Sequence, residues 1–318
     1  MPYSVSYVKV EAPATTANLG PGFDVFGLAL DVFHDIVEVK AVSTGAINIS
    51  VGGVSAAAVP REVDKNTAGV VAKLLLGKAG EKLGLDIRID KGIPIARGLG
   101  SSAACAAATA VALDRVFSLG LSSNELIGVA AQGEIASAGT PHADNVSAAI
   151  LGGFTIIRSY RPLDVVRLEP PLNLEFAVAI PNLPAPMKKT EKARSVIPKT
   201  IPLESVTHNV GHASTIVAGF ALSRVDLIGK GMADAVVEPA RARLIPGYDT
   251  VRQRALEAGA LGVAISGAGP TMLSLVDPKK LAALKVAEAM KEAFESVGVE
   301  CETYSAKPAK GARIIELR

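Results

Sequence analysis

The chain has 318 residues, of which 49% are apolar and 20% are charged, and its formal net charge is +2 at pH 7. This length is enough for two ordinary domains, and the near-neutral charge argues against a nucleic-acid or membrane-surface partner. Two cysteines form no disulfide framework and no signal segment is evident at the start, so a reducing, cytoplasmic setting is expected.

The first half of the chain alternates between strand and helix patterns. Period-two alternation marks the strands, and alanine-rich composition marks the strongest helix. A further helix begins at the S-S-N-E segment, where serine or asparagine can cap the first turn. The predicted strands are 4–12, 34–42, 46–51, 85–90 and 152–158, and the predicted helices are 65–83, 101–117 and 123–138.

The second half begins with a polar, proline-rich segment, which predicts a domain boundary near residue 160. An uncharged stretch at 258–276 is long enough to cross a bilayer, but S-G-A-G-P in its middle would break a spanning helix. We therefore expect no membrane partner, a fold of the α+β class, and domains at 1–160 and 161–318. The predicted elements are strands at 174–180, 261–276 (two, joined at S-G-A-G-P) and 313–317, and helices within 205–235, at 249–258 and at 278–296.

The segment 93–104, I-P-I-A-R-G-L-G-S-S-A-A, joins a predicted strand to the alanine-rich helix. Its glycines are compatible with tight packing of a helix on a strand, with a dinucleotide loop, or with a loop around a phosphate. The dinucleotide interpretation is disfavoured because K-G-I-P-I-A-R separates the strand from Gly98. No G-K-[ST] follows, so the segment is not a Walker A loop.

Two more glycine-rich segments have the same character: P-A-T-T-A-N-L-G-P-G-F-D begins at Pro13, and S-G-A-G-P-T begins at Ser266. The three segments in this order resemble the GHMP kinases over nearly the whole chain. The resemblance implies two domains, an N-terminal ATP-binding domain similar to ribosomal protein S5 and a ferredoxin-like C-terminal domain. It also implies ATP as cofactor, bound by the middle segment through Pro94, Ile95, Ala96, Arg97, Gly98, Leu99, Gly100, Ser101, Ser102, Ala103 and Ala104.

The first segment, extended to residues 11–30, is similar to that of the homoserine kinases within this superfamily. Four further segments agree: G-T-P-H-A-D-N, M-K-K-T-E-K-A-R, H-N-V-G and E-P-A-R-A-R-L-I-P-G. The resemblance implies phosphorylation of L-homoserine in threonine biosynthesis by an enzyme that is often a homodimer. It also implies that the substrate is bound by Asn18, Asp24, His142, Asp144, Asn145, Thr190, Arg194 and Arg241.

These side chains suit homoserine, which carries a carboxylate, an ammonium and a terminal hydroxyl. Arg194 and Arg241 have planar pairs of donors for the carboxylate. The Asn and Asp of the first segment could hold the ammonium, and the Asp144–Asn145 pair could orient the hydroxyl. Each residue taken singly could instead cap a turn or a helix end, and it is the matched set that favours binding.

Ser102 and Glu134 match the Mg²⁺ ligands of the family, and Mg²⁺ takes few protein oxygens while keeping water and phosphate oxygens. Mevalonate kinases have a lysine early in the first segment, where this chain has Thr15. A dedicated catalytic base is therefore in doubt, since phosphoryl transfer mainly requires alignment and charge neutralisation. We expect Asp144 and Asn145 to align the hydroxyl, with Glu134 completing the catalytic set.

Two alternatives stay open from the sequence. One is another small-molecule kinase of the superfamily, of the mevalonate or shikimate type; the other is a non-catalytic binding protein with the same fold. Thr15 and the Arg194–Arg241 pair argue against a mevalonate kinase. Retention of Ser102, Glu134 and the loop glycines argues against loss of catalysis.

Overall fold

The computed structural model contains two β-sheets with helices packed on them. One apolar core cluster includes residues of both sheets, and a second lies between the second sheet and the helices at 248–257 and 283–296. The structure describes residues 5–80, 83–138, 141–184, 189–277, 279 and 282–318, without the side chains of 137 and 138. Some predicted features lie partly outside these residues: positions 81 and 82 of the helix predicted over 65–83, the helix end at Gly139, the helix start at 278, and the first two positions of the segments that begin at Gly139 and Met187.

The first sheet has seven strands within the described residues, in the order β11-β1-β2-β4-β3, with β5 paired to β2 and β6 to β5. Neighbours run antiparallel except β3 and β4, which are parallel. The alternation predicted for residues 85–90 is confirmed, since Leu85, Ile87 and Ile89 are buried between exposed residues. The strands are β1 (Tyr7–Asn18), β2 (Gly22–Val42), β3 (Ile47–Gly53), β4 (Gly84–Lys91), β5 (Phe154–Tyr160), β6 (Leu163–Leu168) and β11 (Arg313–Leu317).

The helices of the first half pack on one another and on this sheet. The alanine-rich helix lies centrally, against β1, β2 and three other helices, because its small side chains permit close approach. The predicted serine cap is Ser122, and it is part of a capping box: Glu125 N donates to Ser122 Oγ at 3.3 Å, and Ser122 N donates to Glu125 Oε2 at 2.9 Å. The helices are α1 (Thr67–Ala79), α2 (Ser101–Phe117), α3 (Ser123–Gly133), α4 (Ile135–Ala138) and α5 (Asp144–Leu151).

The first half differs from the sequence prediction in several features. The helix predicted over 65–83 ends at Ala79, where Gly80 with a φ of 68° caps it. The turn-rich first segment is a long β1–β2 hairpin, because antiparallel pairing continues to Asn18 and Gly22 and leaves three residues between the strands. The helix predicted over 123–138 is interrupted at Glu134, between α3 and α4. Helix α5, the next element in the chain, was not predicted, and its first residue is the candidate Asp144.

The second sheet is antiparallel, in the order β10-β7-β9-β8. The predicted pair of strands around S-G-A-G-P is confirmed as β8 and β9, and the helical region at 205–235 divides into two helices at Ser223, where φ is 53°. The elements are β7 (Glu175–Pro181), α6 (Lys189–Ser195), α7 (Leu203–Ala221), α8 (Val225–Gly231), α9 (Val237–Ala242), α10 (Tyr248–Glu257), β8 (Gly262–Ile265), β9 (Met272–Val276), α11 (Ala283–Ser296) and β10 (Cys301–Ala306).

The pairing of the strands does not follow the domain boundary that was predicted near residue 160. Strands β6 and β11 both follow that position, yet both pair within the first sheet. The domains at 1–160 and 161–318 therefore stay a prediction, and we favour a boundary after Leu168 with β11 returned to the first unit. The rings of Phe154 and Phe220 stack at 3.9 Å across the two halves, which ties them together. No helix in the described ranges is long and apolar enough to span a membrane.

Candidate active site

A cavity of about 610 Å³ lies where the three glycine-rich segments meet. A cavity of about 810 Å³ between α9 and α10 contains none of the predicted site residues, so size alone does not locate the site. Ala103 and Ala104 do not line the 610 Å³ cavity: both are fully buried inside α2 and pack in the core. The predicted residues that line it are Asn18, Asp24, residues 94–102, Glu134, His142, Asp144, Asn145, Thr190, Arg194 and Arg241.

The glycine loop at 92–100 is anchored through its carbonyl groups. Leu99 O accepts from Thr15 N at 3.0 Å, Gly98 O from Ser266 Oγ at 2.7 Å, and Arg97 O from Thr271 N at 3.2 Å. Strand β1 and the β8–β9 turn therefore hold the loop from both sides. With these carbonyl groups occupied, the loop amides that follow Pro94 and the start of α2 are left for an anion in the cavity.

A buried ion pair supports the loop from below. Lys91 Nζ donates to Asp35 and to Ser101 O, the latter at 2.8 Å, and Asp35 Oδ1 accepts from the backbone amides of Gly92 and Ile93 at 3.0 Å each. Both charged side chains are almost fully buried. Because loss of either partner would leave an uncompensated charge in the core, this pair fixes the direction of the chain as it enters the loop.

The two loop glycines are required by contacts within the protein. A Cβ at Gly98 would lie 2.3 Å from Ser266 O, and a Cβ at Gly100 would lie 1.8 Å from Thr15 Oγ1. Their φ angles, +84° and +67°, are in the left-handed region that favours glycine. Close helix–strand packing, one of the open interpretations of this segment, is therefore present together with an anion-binding geometry.

The two loop serines have different partners. Ser101 Oγ donates to Ile93 O at 3.0 Å and so closes the loop on itself. Ser102 Oγ donates to Glu134 Oε2 at 2.9 Å, at the break between α3 and α4. Two oxygen ligands thus lie side by side at the cavity wall next to the loop, a donor set that suits Mg²⁺, which needs few protein ligands. Ser102 and Glu134 therefore fit the predicted metal pair.

Asp144 and Asn145 begin α5 and are linked to β1. Thr15 Oγ1 donates to Asn145 Oδ1 at 2.8 Å, and Asp144 Oδ1 accepts from Asn145 N at 2.7 Å. Burial, with the nearby negative charge of Asp24 adding to it, raises the pKa of Asp144 to about 6. The site therefore holds an oriented carboxyl group that changes its charge near neutral pH.

The opposite wall of the cavity is cationic. Arg194 Nη2 donates to both carboxylate oxygens of Asp24, at 2.8 and 2.7 Å, and lies 3.0 Å from His142 Nδ1. Arg241 donates from Nε to Ala193 O at 3.2 Å and from Nη1 to Gly267 O at 2.8 Å. These bonds hold both guanidinium groups in fixed orientations at the cavity.

Comparison with known proteins places this geometry in a family. Residues 66–153 match the family model described as GHMP kinases N terminal domain, and residues 216–296 match GHMP kinases C terminal. A homoserine kinase of Methanococcus maripaludis is 43% identical over 98% of this chain and 99% of its own length. One of Halorubrum lacusprofundi is 44% identical over 97% and 99%. The chain belongs to the homoserine kinase family of the GHMP kinases.

The fold of this GHMP kinase agrees with that membership. The crystal structure of homoserine kinase from Cytophaga hutchinsonii superimposes with a TM-score of 0.91 at 36% identity, covering 99% of both chains. The predicted two-domain α+β fold of the superfamily is confirmed. The order of the three glycine-rich segments along the chain was sufficient to predict it.

Among the residues at this kinase site that were not predicted, three make contacts that bear on its chemistry. Thr15 joins the glycine loop to Asn145, and its position in the first segment was the available signal. The ring of Phe23 lies 5.2 Å from the guanidinium carbon of both Arg194 and Arg241, a cation–π contact to each. Lys189 lines the cavity at the start of α6. All three lie in segments that the sequence analysis singled out, but their individual contacts depend on which distant segments meet at the site.

Proposed function

We propose that this chain transfers the γ-phosphoryl group of ATP to the side-chain hydroxyl of L-homoserine. The hydroxyl oxygen forms a bond to the γ-phosphorus while the bond from phosphorus to the β–γ bridging oxygen breaks, giving ADP, O-phospho-L-homoserine and a proton. One observation carries the proposal: a single cavity holds a glycine loop suited to phosphate on one wall and, on the other, charged groups complementary to an amino acid.

The amino-acid end of homoserine would contact the cationic wall. Within the described residues, the hydrogen bonds of Arg241 use Nε and Nη1, which leaves Nη2 for the substrate carboxylate. Arg194 would share its guanidinium between that carboxylate and Asp24, while the Asp24 carboxylate and the Asn18 side chain would bind the ammonium. The cation–π contacts to Phe23 hold both arginines in place before the substrate arrives.

The reacting end of homoserine would lie between Asp144 and the glycine loop. Thr15 and Asp144 together fix the amide of Asn145, so the acid and amide are oriented before binding. Their task in this proposal is to align the hydroxyl for in-line attack and to accept its hydrogen bond. Mg²⁺ bound by Ser102 and Glu134 would neutralise negative charge on the phosphate oxygens.

An acceptor panel tests the proposed function. Purified protein would be supplied with Mg-ATP and L-homoserine, mevalonate, shikimate or 3-aminopropanol, and ADP release would be followed. Homoserine should have the highest kcat/KM, and 3-aminopropanol, which lacks the carboxylate, should be the poorer of the two amino alcohols. Preference for mevalonate or shikimate would assign the chain to another acceptor. If none of the four compounds supports ADP release, the proposed reaction is excluded.

Glu134→Gln is expected to raise the Mg²⁺ concentration needed for half-maximal activity by about tenfold or more. The amide keeps the volume of the side chain but removes the charge that attracts the cation, and a charge-assisted interaction contributes roughly 1.5–3 kcal/mol. Titration of activity with Mg²⁺ at fixed ATP measures the change. Glu125→Gln is a matched control because Glu125 caps α3 on the surface. If the unmodified protein, Glu134→Gln and Glu125→Gln all show the same Mg²⁺ dependence, Glu134 has only a structural role.

The dependence of kcat/KM on pH should show an acidic limb that is due to ionisation of Asp144. Since burial raises the pKa of this carboxyl to about 6, it is protonated below that pH and ionised above it. If the ionised form accepts the hydroxyl's hydrogen bond, kcat/KM for homoserine should rise with pH up to about 6 and then level. Asp144→Asn should abolish the limb, and His142→Gln should retain it. A limb that persists in Asp144→Asn would assign the titration to another group.

Two further features stay predictions. A cytoplasmic location agrees with the reduced cysteines expected from the sequence, and a homodimer is expected from the family resemblance alone. Size-exclusion chromatography with light scattering would measure the oligomeric state.

A further inference from the structure

Lys189 lies where the glycine loop meets the third glycine-rich segment. Its Nζ donates to Gly269 O, and that carbonyl oxygen is 2.7 Å from the position a Cβ on Gly98 would take. Lys189 also lines the active-site cavity next to Ala268 and Arg97. Its ammonium is therefore held against the backbone of the loop that is proposed to surround the phosphates.

The surroundings of this ammonium are positively charged. A smaller cavity of about 330 Å³ adjoins the site and shares Lys189 with it; its other basic residues are Arg97, Lys192, Arg241 and Arg243, and no acidic residue is among its described lining. Burial, and then the charges of Arg241 and Arg97, lower the pKa of Lys189 to about 7. Keeping this amine protonated in such an environment costs free energy unless an anion offsets the charge.

A purely structural role would not require a lysine. Any donor of suitable length could bond Gly269 O, and a neutral side chain would avoid the repulsion from the neighbouring arginines. In the described part of the chain, Lys189 has no ion pair with a carboxylate, whereas Arg194 on the same helix is paired with Asp24. A negatively charged ligand is therefore the best candidate to neutralise the ammonium of Lys189.

We propose that Lys189 binds the γ-phosphoryl group of ATP, the group that is transferred. This inference rests on the proposed function, because it takes the glycine loop as the binding site of the nucleotide phosphates. From its position at Gly269 O in the wall of the active-site cavity, the ammonium would contact the equatorial oxygens of the phosphoryl group on the side facing the acceptor. There it would offset the negative charge spread over those oxygens during a loose transition state.

The test compares Lys189→Met, which removes the charge at similar length, with Lys189→Arg, which keeps it. Lys192→Met is the control, since this exposed lysine lies on the same helix but does not line the active-site cavity. Calorimetry would measure binding of ADP and of the triphosphate analogue AMPPNP, each with Mg²⁺, and steady-state assays would measure kcat/KM with homoserine.

Lys189→Met should weaken AMPPNP binding by about 10- to 100-fold, with ADP binding changed less than about threefold, because only the analogue has a γ-phosphoryl group. The value of kcat/KM should fall by a similar factor, and Lys189→Arg should retain activity within about tenfold. Lys192→Met should match the unmodified protein.

Equal weakening of ADP and AMPPNP, or unchanged binding of both, would overturn the proposal. A raised KM for homoserine with unchanged AMPPNP binding would also overturn it, since the lysine would then belong to the acceptor. The binding arm needs no homoserine. A protein that does not phosphorylate homoserine but shows the AMPPNP-specific loss would therefore fail the proposed function and still support the assignment of Lys189.

Discussion

Replacement of Gly100 by alanine is expected to weaken ATP binding by about 5- to 150-fold. The new Cβ would lie 1.8 Å from Thr15 Oγ1 and 3.2 Å from Asn145 Oδ1, so either the loop or the Thr15–Asn145 pair must move. Overpacking of this kind costs about 1–3 kcal/mol, which corresponds to that loss if the bound loop conformation bears the cost. Isothermal calorimetry with ATP and Mg²⁺ measures the affinity, and thermal unfolding shows whether the variant is folded.

Gly120→Ala provides a matched control for the backbone. Gly120 follows the other end of α2 with a φ of +63°, close to the +67° of Gly100, but a Cβ there would meet nothing within 4 Å. It should therefore show the cost of a left-handed φ and leave ATP affinity unchanged. Equal losses in both variants would attribute the effect to backbone strain. Unchanged affinity in a folded Gly100→Ala variant would exclude this loop as the nucleotide site.

Loss of either cavity arginine should reduce kcat/KM for homoserine by about ten- to a hundredfold. A hydrogen bond to a charged group contributes roughly 1.5–3 kcal/mol, and each guanidinium is already oriented by its protein partners. Lysine at position 194 or 241 should also be harmful, because an ammonium cannot reproduce the planar pair of donors. Steady-state kinetics with homoserine and with 3-aminopropanol would show whether the loss depends on the substrate carboxylate.

Arg243→Ala is the control for the arginine variants. Arg243 follows α9 directly, is exposed, and does not line the active-site cavity, so its replacement should leave kcat/KM within about twofold. Arg241→Ala also leaves Ala193 O and Gly267 O without their donor, so its unfolding temperature must be measured alongside. If Arg243→Ala lowers kcat/KM and Arg241→Ala does not, the carboxylate site has been assigned to the wrong arginine. If neither Arg194 nor Arg241 matters, homoserine is not the acceptor.

Local patterns in the sequence were enough to predict most elements. The serine cap of α3, the alternation in β4 and the strands around S-G-A-G-P depend on residues a few positions apart. The errors occur where pairing between distant segments overrides the local pattern. The first segment appears turn-rich from its glycines, but pairing with β2 extends β1 through Asn18, and β6 joins the first sheet beyond the predicted boundary.

The candidate site shows the same division. The sequence by itself determined which segments form the candidate site, because three glycine-rich motifs and a set of charged residues can be recognised from the order of the amino acids alone. Only the tertiary structure separated the roles of Ser101 and Ser102, linked Thr15 to Asn145 across 130 positions, and placed Lys189 against Gly269 across 80. The physical reason is that a motif specifies residue types and local backbone geometry. Hydrogen-bond partners, burial and the resulting pKa values depend on how two sheets and their helices pack, and that arrangement is set by the whole chain.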